Sequence, residues 1–436
     1  MMGRRTPARA ALLAGLALWL LAALPGPAGA LVGDSRAGFG LDGSLRTILG
    51  LSDSSALPEA WGDSRDVLSQ TLLRLTAAGR PVEWLKYEVH LVQSLTLTPS
   101  QTRGAGLADQ ERDLAYRALD EKWTWLEEDD ALAGLWLDRF NLKISLPRID
   151  LTLGRQAVTF GQAYFWNPLD VFLPFDPSQF DRDYKAGVDA LRLDLALGQF
   201  SGLNLVWAPG RRLTAGGRFA DDEGVLDASW SGSALLARLF TNLSGWDLSF
   251  LAGKVYGGWQ VGAGATGEIG WLEVRAEAAW LEARDGQPLP PPLEGDLVED
   301  HLTAVLGLGH RFDNSLTLEA EYLYNGAGDP DHLEAAMIRT ADGFSLHWGR
   351  HLVGLMVSYE LSPLTLGRAV FIQSLSDGSA QVQPGLTVSL SDNSELLLGV
   401  TWNLGRPPRE EAGLVEPRSE FGSAPHFYYL EVKVYF

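Results

Sequence analysis

The sequence contains no cysteine. That excludes disulfides, thiolate metal sites, covalently attached haem and a lipid anchor on an N-terminal cysteine. Beyond residue 30 there is also no apolar run approaching the ~18 residues that a membrane-spanning helix needs. Basic residues are scarce relative to acidic ones, 35 Lys and Arg against 55 Asp and Glu, for a formal net charge of −20. No segment carries the EF-hand calcium pattern. The seven histidines, His90, His301, His310, His332, His347, His351 and His426, fall in no recognisable catalytic motif. His347 and His351 have the spacing of a zinc-protease helix but lack its glutamate. No enzymatic activity, cofactor, metal site or nucleic-acid partner is therefore expected. Without cross-links, a chain of 436 residues must draw its stability from extensive packing or hydrogen bonding.

Residues 1–30 read as a cleaved signal peptide. Arg4, Arg5 and Arg9 form a basic start, residues 10–24 an apolar run, and Ala28-Gly29-Ala30 a small-x-small cleavage site after Pro25-Gly26-Pro27. Removing three arginines and no acids takes the net charge to −23. Residues 31–436 are expected to form a single domain.

What is abundant points to an all-β fold: 48 Gly, 15 Trp, 11 Tyr and 17 Phe, with little helical periodicity. Alternating segments of about ten residues recur from residue 37 onward. Leu191, Leu193, Leu195 and Leu197 alternate with Arg192, Asp194 and Ala196; Leu316, Leu318, Ala320, Tyr322 and Tyr324 alternate with Thr317, Glu319 and Glu321. In the C-terminal stretch Tyr428, Leu430, Val432 and Val434 alternate with Phe427, Tyr429, Glu431, Lys433 and Tyr435, before Phe436. Short turns are predicted at residues 78–81, 147–148, 198–199, 244–245, 270, 313–314, 362–363 and 392–393. Long polar connections are predicted at 97–134, 159–187, 209–224, 283–299, 326–350 and 406–425. Short turn and long loop in alternation predict a transmembrane antiparallel β-barrel with periplasmic turns and outer loops. The count is about eighteen strands, from residues 39–49 to 427–436, with sixteen as the neighbouring even number. Segments 258–267 and 367–373 are weak. Aromatics near segment ends, such as Trp207, Trp271, Trp280 and Trp402, suit girdles at the two membrane interfaces.

The polar faces of these segments then line the lumen. They carry Arg46, Arg74, Lys86, Arg139, Lys143, Arg192, Arg238, Arg275 and Lys433, opposed by Asp42, Glu88, Asp150, Asp194, Glu273, Glu277, Glu319, Glu321 and Glu431. Such charges suit a wet pore that acts on solutes, or ion pairs that brace the wall.

The connection after the fifth strand stands apart. Within residues 158–187 it holds Tyr164, Phe165, Trp166, Phe172, Phe175 and Phe180, together with three prolines. An outer loop exposed to water should be poor in aromatics, so this one is expected either to fold into the lumen or to pack against neighbouring loops. In the lumen it would present Asp170, Asp176, Asp181, Arg182, Asp183 and Lys185 at a constriction.

Gly154-Arg155-Gln156, Phe160-Gly161, Trp166-Asn167-Pro168, Asp170, Pro174, Pro177 and residues 185–192 resemble a stretch in porin-like outer-membrane barrels of proteobacteria, a family distantly similar to alginate-export and substrate-selective porins. The resemblance covers about forty residues and is architectural elsewhere; relatives often have Trp where this chain has Phe160. It implies a pore and leaves the solute open. The C-terminal strand also resembles the insertion signal of Gram-negative outer-membrane proteins. The expected function is passive diffusion of small polar or charged solutes across the outer membrane, with weak cation preference from the acidic loops. The alternative is a non-conducting adhesin or sheath. Expected partners are outer-membrane lipid and lipopolysaccharide and the insertion machinery, and a homotrimer is allowed.

Overall fold

A computed structural model describes residues 31–34, 38–55, 57, 65–98, 115–119, 121–172, 184–211, 228–284, 286–411 and 414–436. The predicted signal peptide lies outside the described residues, as do Asp176, Asp181, Arg182 and Asp183.

Twenty strands share one antiparallel sheet, and eighteen of them form a closed wall. They are β1 (Phe39–Asp53), β2 (Arg65–Val82), β3 (Leu85–Leu97), β4 (Ala131–Leu146), β5 (Ile149–Gln156) and β6 (Val188–Ala196). Next come β7 (Ser201–Gly210), β8 (Ser229–Leu243), β9 (Trp246–Val255), β10 (Gly258–Ile269), β11 (Leu272–Ala283) and β12 (His301–Arg311). The circuit finishes with β13 (Thr317–Asn325), β14 (His351–Ser362), β15 (Thr365–Ser374), β16 (Ala380–Ser391), β17 (Ser394–Leu404) and β18 (His426–Tyr435). Each pairs with its sequence neighbour, and β18 also pairs with β1 from Ser44↔Tyr435 to Asp53↔His426. Closure leaves no strand edge facing lipid, the condition for a sheet to span a membrane.

Alternation sends one face of each strand outward, where Phe140, Leu239, Leu306 and Val357 lie exposed. Aromatics mark both rims. Trp207, Trp230, Trp259, Trp280 and Trp402 stand exposed toward the loop ends of their strands, and Trp271, Phe200 and Phe312 at the turn ends.

Several connections differ from expectation. The first short turn lies at Glu83-Trp84, not at residues 78–81, because β2 runs through those residues. The ladder slips between Gly79 and Val82, so Pro81 forfeits no regular ladder bond there. Two outer connections are short, Tyr256-Gly257 and residues 375–379. Within the predicted loop 97–134, the strand Lys122–Glu128 pairs with the outer half of β4 (Glu128↔Ala131 to Lys122↔Trp136), above the point where the shorter β5 stops. A second accessory strand, Val32–Asp34, pairs with the start of β1.

Two outer loops build a small core of their own. Helix α1 (Leu333–Ala341) brings Ala335 and Ile338 against Leu289, Leu293, Leu297 and Phe344. Arg339 fastens the helix to the other loop through the Asp296 carbonyl (2.8 Å) and the Glu299 carboxylate (2.5 Å).

Candidate functional site

The connection from β5 to β6 enters the barrel. Its aromatic side chains find there the apolar surroundings that an outer loop would deny them. Phe160, Leu169 and Phe172 pack with Val188, Val206, Leu236 and Leu251 of β6 to β9, whereas Phe165 and Trp166 pack with Val305, Leu323, Leu352 and Ile372 of β12 to β15. Phe165, Trp166 and Phe172 are almost completely buried. At about 1.5–3 kcal/mol for each large apolar side chain, this burial is the main term favouring the docked loop.

Polar groups set its position. The Glu277 carboxylate on β11 accepts the backbone N–H groups of Gln162, Ala163 (3.2 Å) and Leu169 (3.3 Å). Glu321 on β13 accepts those of Tyr164, Phe165 (2.7 Å) and Trp166 (3.3 Å). Six donors of an irregular segment are thus satisfied by two wall carboxylates, where leaving a buried donor unpaired costs about 1–3 kcal/mol. Gln260 Nε2 adds a bond to the Pro168 carbonyl (3.1 Å). Above the loop, Trp166 Nε1 donates to His347 Nε2 (2.9 Å), and His347 Nδ1 donates to the Glu420 carboxylate (2.6 Å). This chain ties the inner loop to the outer connection before β18.

Glycines in the wall make room. A Cβ on Gly262 would meet Leu169 Cδ2 at 2.5 Å, and one on Gly354 would meet Phe165 Cδ2 at 2.8 Å. Segment 258–267 reads weakly as a strand in part because two of its glycines, Gly262 and Gly264, form the seat of Leu169.

Asp170, midway along the connection, and Lys185, close to its end, are brought together. Lys185 Nζ lies 2.6 Å from Asp170 Oδ1 and 2.5 Å from Oδ2, and both residues are buried. Burial pushes the Asp170 carboxyl up and the Lys185 ammonium down, against the attraction of each for the other. They form a neutralised pair, not two separate charges offered to the pore. The loop also meets wall cations through its rings. Tyr184 lies 4.1 Å from the Arg74 guanidinium and Tyr164 6.0 Å from that of Arg368.

The other wall charges pair largely among themselves. Arg46 contacts Glu431, Lys143 contacts Asp150 (2.6 Å) and Arg192 contacts Asp194 (2.8 Å). Arg275 joins Glu273 (2.8 Å) and Glu319 (2.7 Å), and Glu88 joins His90 (2.7 Å) and Arg139 (3.3 Å). Lys86 is exposed near the turn end of β3, and Lys433 lies half-buried on β18. Arg238 reaches Asn204 at 3.3 Å and lies 5.5 Å from the Phe160 ring.

Sequence reading missed several of the groups that build this interior. Asp138 should point outward by alternation. A bulge pairs His90 with Arg139 and Leu91 with Leu137, so Asp138 is the extra residue and turns inward to Arg74 (2.7 Å) and Arg117 (3.1 Å). Arg155 and Asp189, inside the recognised motif, face each other across β5 and β6 and make two bonds of 2.8 and 3.1 Å. Arg155 also donates to the carbonyls of Leu137 (2.8 Å) and Leu119 (2.7 Å). The pair closes the wall at the level where the chain turns inward, and the motif's conspicuous residues are in that sense architectural. Among the described residues no cluster of His, Asp and Glu is arranged to hold a metal ion.

No sequence-family model matches the chain. No curated protein sequence matches it either. Solved structures do. OpdK of Pseudomonas aeruginosa, in a structure with vanillate, superposes with a TM-score of 0.53 at 10% identity, over 92% of this chain and 100% of that one. A second structure of the same protein, OccK1 (OpdK), gives 0.52 at 10% identity over 92% and 100% of the two chains. OccAB4 of Acinetobacter baumannii gives 0.50 at 10% identity over 92% and 98%. At that identity the likeness is one of fold, and in fold this chain is a porin-like barrel of eighteen strands.

Proposed function

We propose that the protein is an outer-membrane channel for passive diffusion of small polar or charged solutes. The observation that carries this reading is the entry of the β5–β6 connection into a closed barrel whose inner face is polar and ion-paired. A structural sheath has no need of an inner segment aligned by six backbone hydrogen bonds to two wall carboxylates. A diffusion channel does, because a fixed segment sets the free cross-section.

On this reading residues 158–187 are the constriction. Asp170 and Lys185 hold its base, and Asp176, Asp181, Arg182 and Asp183 belong to the same segment. Solutes pass along the wall charges that stay part-exposed, among them Glu88, Arg139, Lys143, Asp150, Arg192, Asp194 and Lys433, whereas Arg46, Arg74 and Glu431 are buried and brace the wall. Residues 1–30 direct export in a Gram-negative cell, the strand ending at Phe436 is read by the insertion machinery, and lipopolysaccharide surrounds the outer rim. Three barrels associating through their outward faces fit the same reading.

Planar-bilayer conductance of the purified, folded protein tests it, with liposome swelling for uncharged solutes. Discrete conductance steps and solute flux are expected, and a folded barrel with neither would leave the non-conducting sheath as the function. Reversal potentials under a salt gradient, expected to show weak cation preference, test the contribution of the acidic loops.

A further inference from the structure

Trp166 of the inner loop, His347 of the connection between β13 and β14, and Glu420 of the connection before β18 form a chain in which each group has one role. An indole nitrogen only donates and an ionised carboxylate only accepts, so the imidazole between them must do both. His347 therefore carries its proton on Nδ1, 2.6 Å from Glu420, and receives the Trp166 Nε1–H at Nε2 across 2.9 Å. Trp166 and His347 are buried, and Glu420 is largely so. The geometry fits one tautomer of the neutral ring.

A second proton has one place to go on that ring, Nε2. There it meets the indole N–H, and two donors face each other with no acceptor between them. Glu420 is the firmer of the two partners. It also accepts the backbone N–H groups of Trp348 (3.1 Å) and Gly349 (3.4 Å), and its own N–H is held by Asp377 (2.7 Å). Its bond to His347 strengthens once the ring is cationic. The His347 carbonyl is fixed as well, by Asn325 Nδ2 (2.9 Å) and the Ser345 hydroxyl (2.7 Å). Trp166 is held less firmly, because its backbone bond to Glu321, at 3.3 Å, is the longest of the three that Glu321 accepts. The charged groups about the ring are mainly carboxylates: Glu420 at Nδ1, Asp377 behind Glu420, and Glu321 at the Trp166 backbone. Arg350, in the same segment as His347, is engaged with the Gly328 carbonyl (2.9 Å). Such surroundings favour the imidazolium over the neutral ring.

We propose that His347 is a pH-sensitive latch. Neutral, it ties the inner loop to the outer connection before β18. Protonated, it keeps Glu420 and releases the Trp166 indole, which loosens the inner loop at acid pH. Release of the indole does not depend on the channel reading; only its effect on conduction does.

The test follows the indole N–H resonances of the folded, nitrogen-15-labelled barrel in detergent micelles from about pH 8 to about pH 5, the range in which histidine changes charge. The Trp166 signal is the one missing from Trp166→Phe. It is expected to lose its downfield, hydrogen-bonded position through one transition as the pH falls. His347→Gln offers an amide oxygen to the indole and an amide N–H to Glu420 but does not titrate, so it should abolish the transition. Glu420→Gln keeps an acceptor for Nδ1–H and removes the charge that favours the imidazolium, so the midpoint should fall by about one pH unit. Circular dichroism checks that the variants are folded. A Trp166 signal that stays in place over this range, a transition that survives in His347→Gln, or a midpoint unmoved in Glu420→Gln would overturn the latch. Bilayer recordings of the same preparation separate the two readings. Open-channel noise that rises toward pH 5, and does not in His347→Gln, is expected; steady noise beside a titrating signal overturns the loosening of the loop. A titrating signal in a barrel that does not conduct defeats only the channel.

Discussion

Glu321 shows how much of the inner loop rests on single side chains. Its carboxylate accepts three consecutive backbone N–H groups, from Tyr164 to Trp166, where an ordinary residue would accept none. Glu321→Ala strands three donors at about 1–3 kcal/mol each. Single-channel recordings should show larger conductance and more current noise, and limited proteolysis should cut near residues 162–172. Glu321→Gln keeps one acceptor oxygen and should fall between the two. Asp170 and Lys185 predict a different signature. Removing one partner of a buried pair leaves an uncompensated charge, at about 3–5 kcal/mol, whereas replacing both with apolar residues of similar size is nearly neutral. Thermal denaturation should therefore rank Lys185→Met below the Asp170→Leu/Lys185→Met double variant.

At this scale the sequence is legible in kind but not in partnership. Alternation puts Arg275, Glu319, Glu321 and Glu431 on the inner face, yet nothing in the spacing says that Arg275 bonds Glu319 at 2.7 Å while Glu321, 4.0 Å from the same guanidinium, accepts its hydrogen bonds from the inner loop's backbone. Those assignments depend on neighbours dozens of residues away. Asp138 was beyond alternation altogether, because one extra residue in a ladder reverses the face of everything on one side of it. The chain Trp166–His347–Glu420 joins three segments with no pattern in common.

Among the elements, the inner loop and the glycine-bearing strands are two halves of one fit. Gly354→Leu should displace Phe165 and Trp166, since even the first added carbon would lie 2.8 and 3.0 Å from their rings. Overpacking of this kind costs about 1–3 kcal/mol. The expected outcome is altered conductance with the barrel itself still folded, read from bilayer recordings alongside far-ultraviolet circular dichroism. Removing residues 164–180 outright should enlarge the conductance further, and an unchanged conductance and selectivity would deny the loop its role. The loop's aromatic content made it conspicuous in the sequence, but inside and outside packing satisfy six aromatics equally well. The glycines of β10 could have decided it. They weaken a strand's own propensity, and a residue type that harms its element is a sign that something else approaches closely.

For the whole molecule, register and closure were readable because each outward face must be apolar and each turn must be short, two constraints that repeat around the wall. The short outer connections at Tyr256-Gly257 and residues 375–379 were not, since the repeated pattern led to long loops there. The seam where β18 meets β1 has its own fitted contact. Gly43 exchanges backbone bonds with Phe436 (2.6 and 2.9 Å), and a Cβ on Gly43 would overlap the Phe436 ring. Phe436→Ala and Gly43→Val should each slow the appearance of the compact, heat-modifiable band on gels run without boiling, with Gly43→Val the more severe.

That seam has a kinetic meaning. Every other wall pairing joins sequence neighbours, but this one joins residues from 44 to 435 and encloses nearly the whole chain. Bringing such distant segments together costs about 5 kcal/mol in loop entropy if nothing has formed between them. It costs far less once the intervening hairpins have zipped up and curled the sheet round. Closure is therefore the last step, and until it happens the growing sheet carries two unpaired edges, each a template for the wrong strand. The hazard of this fold lies in the interval before the ring is shut.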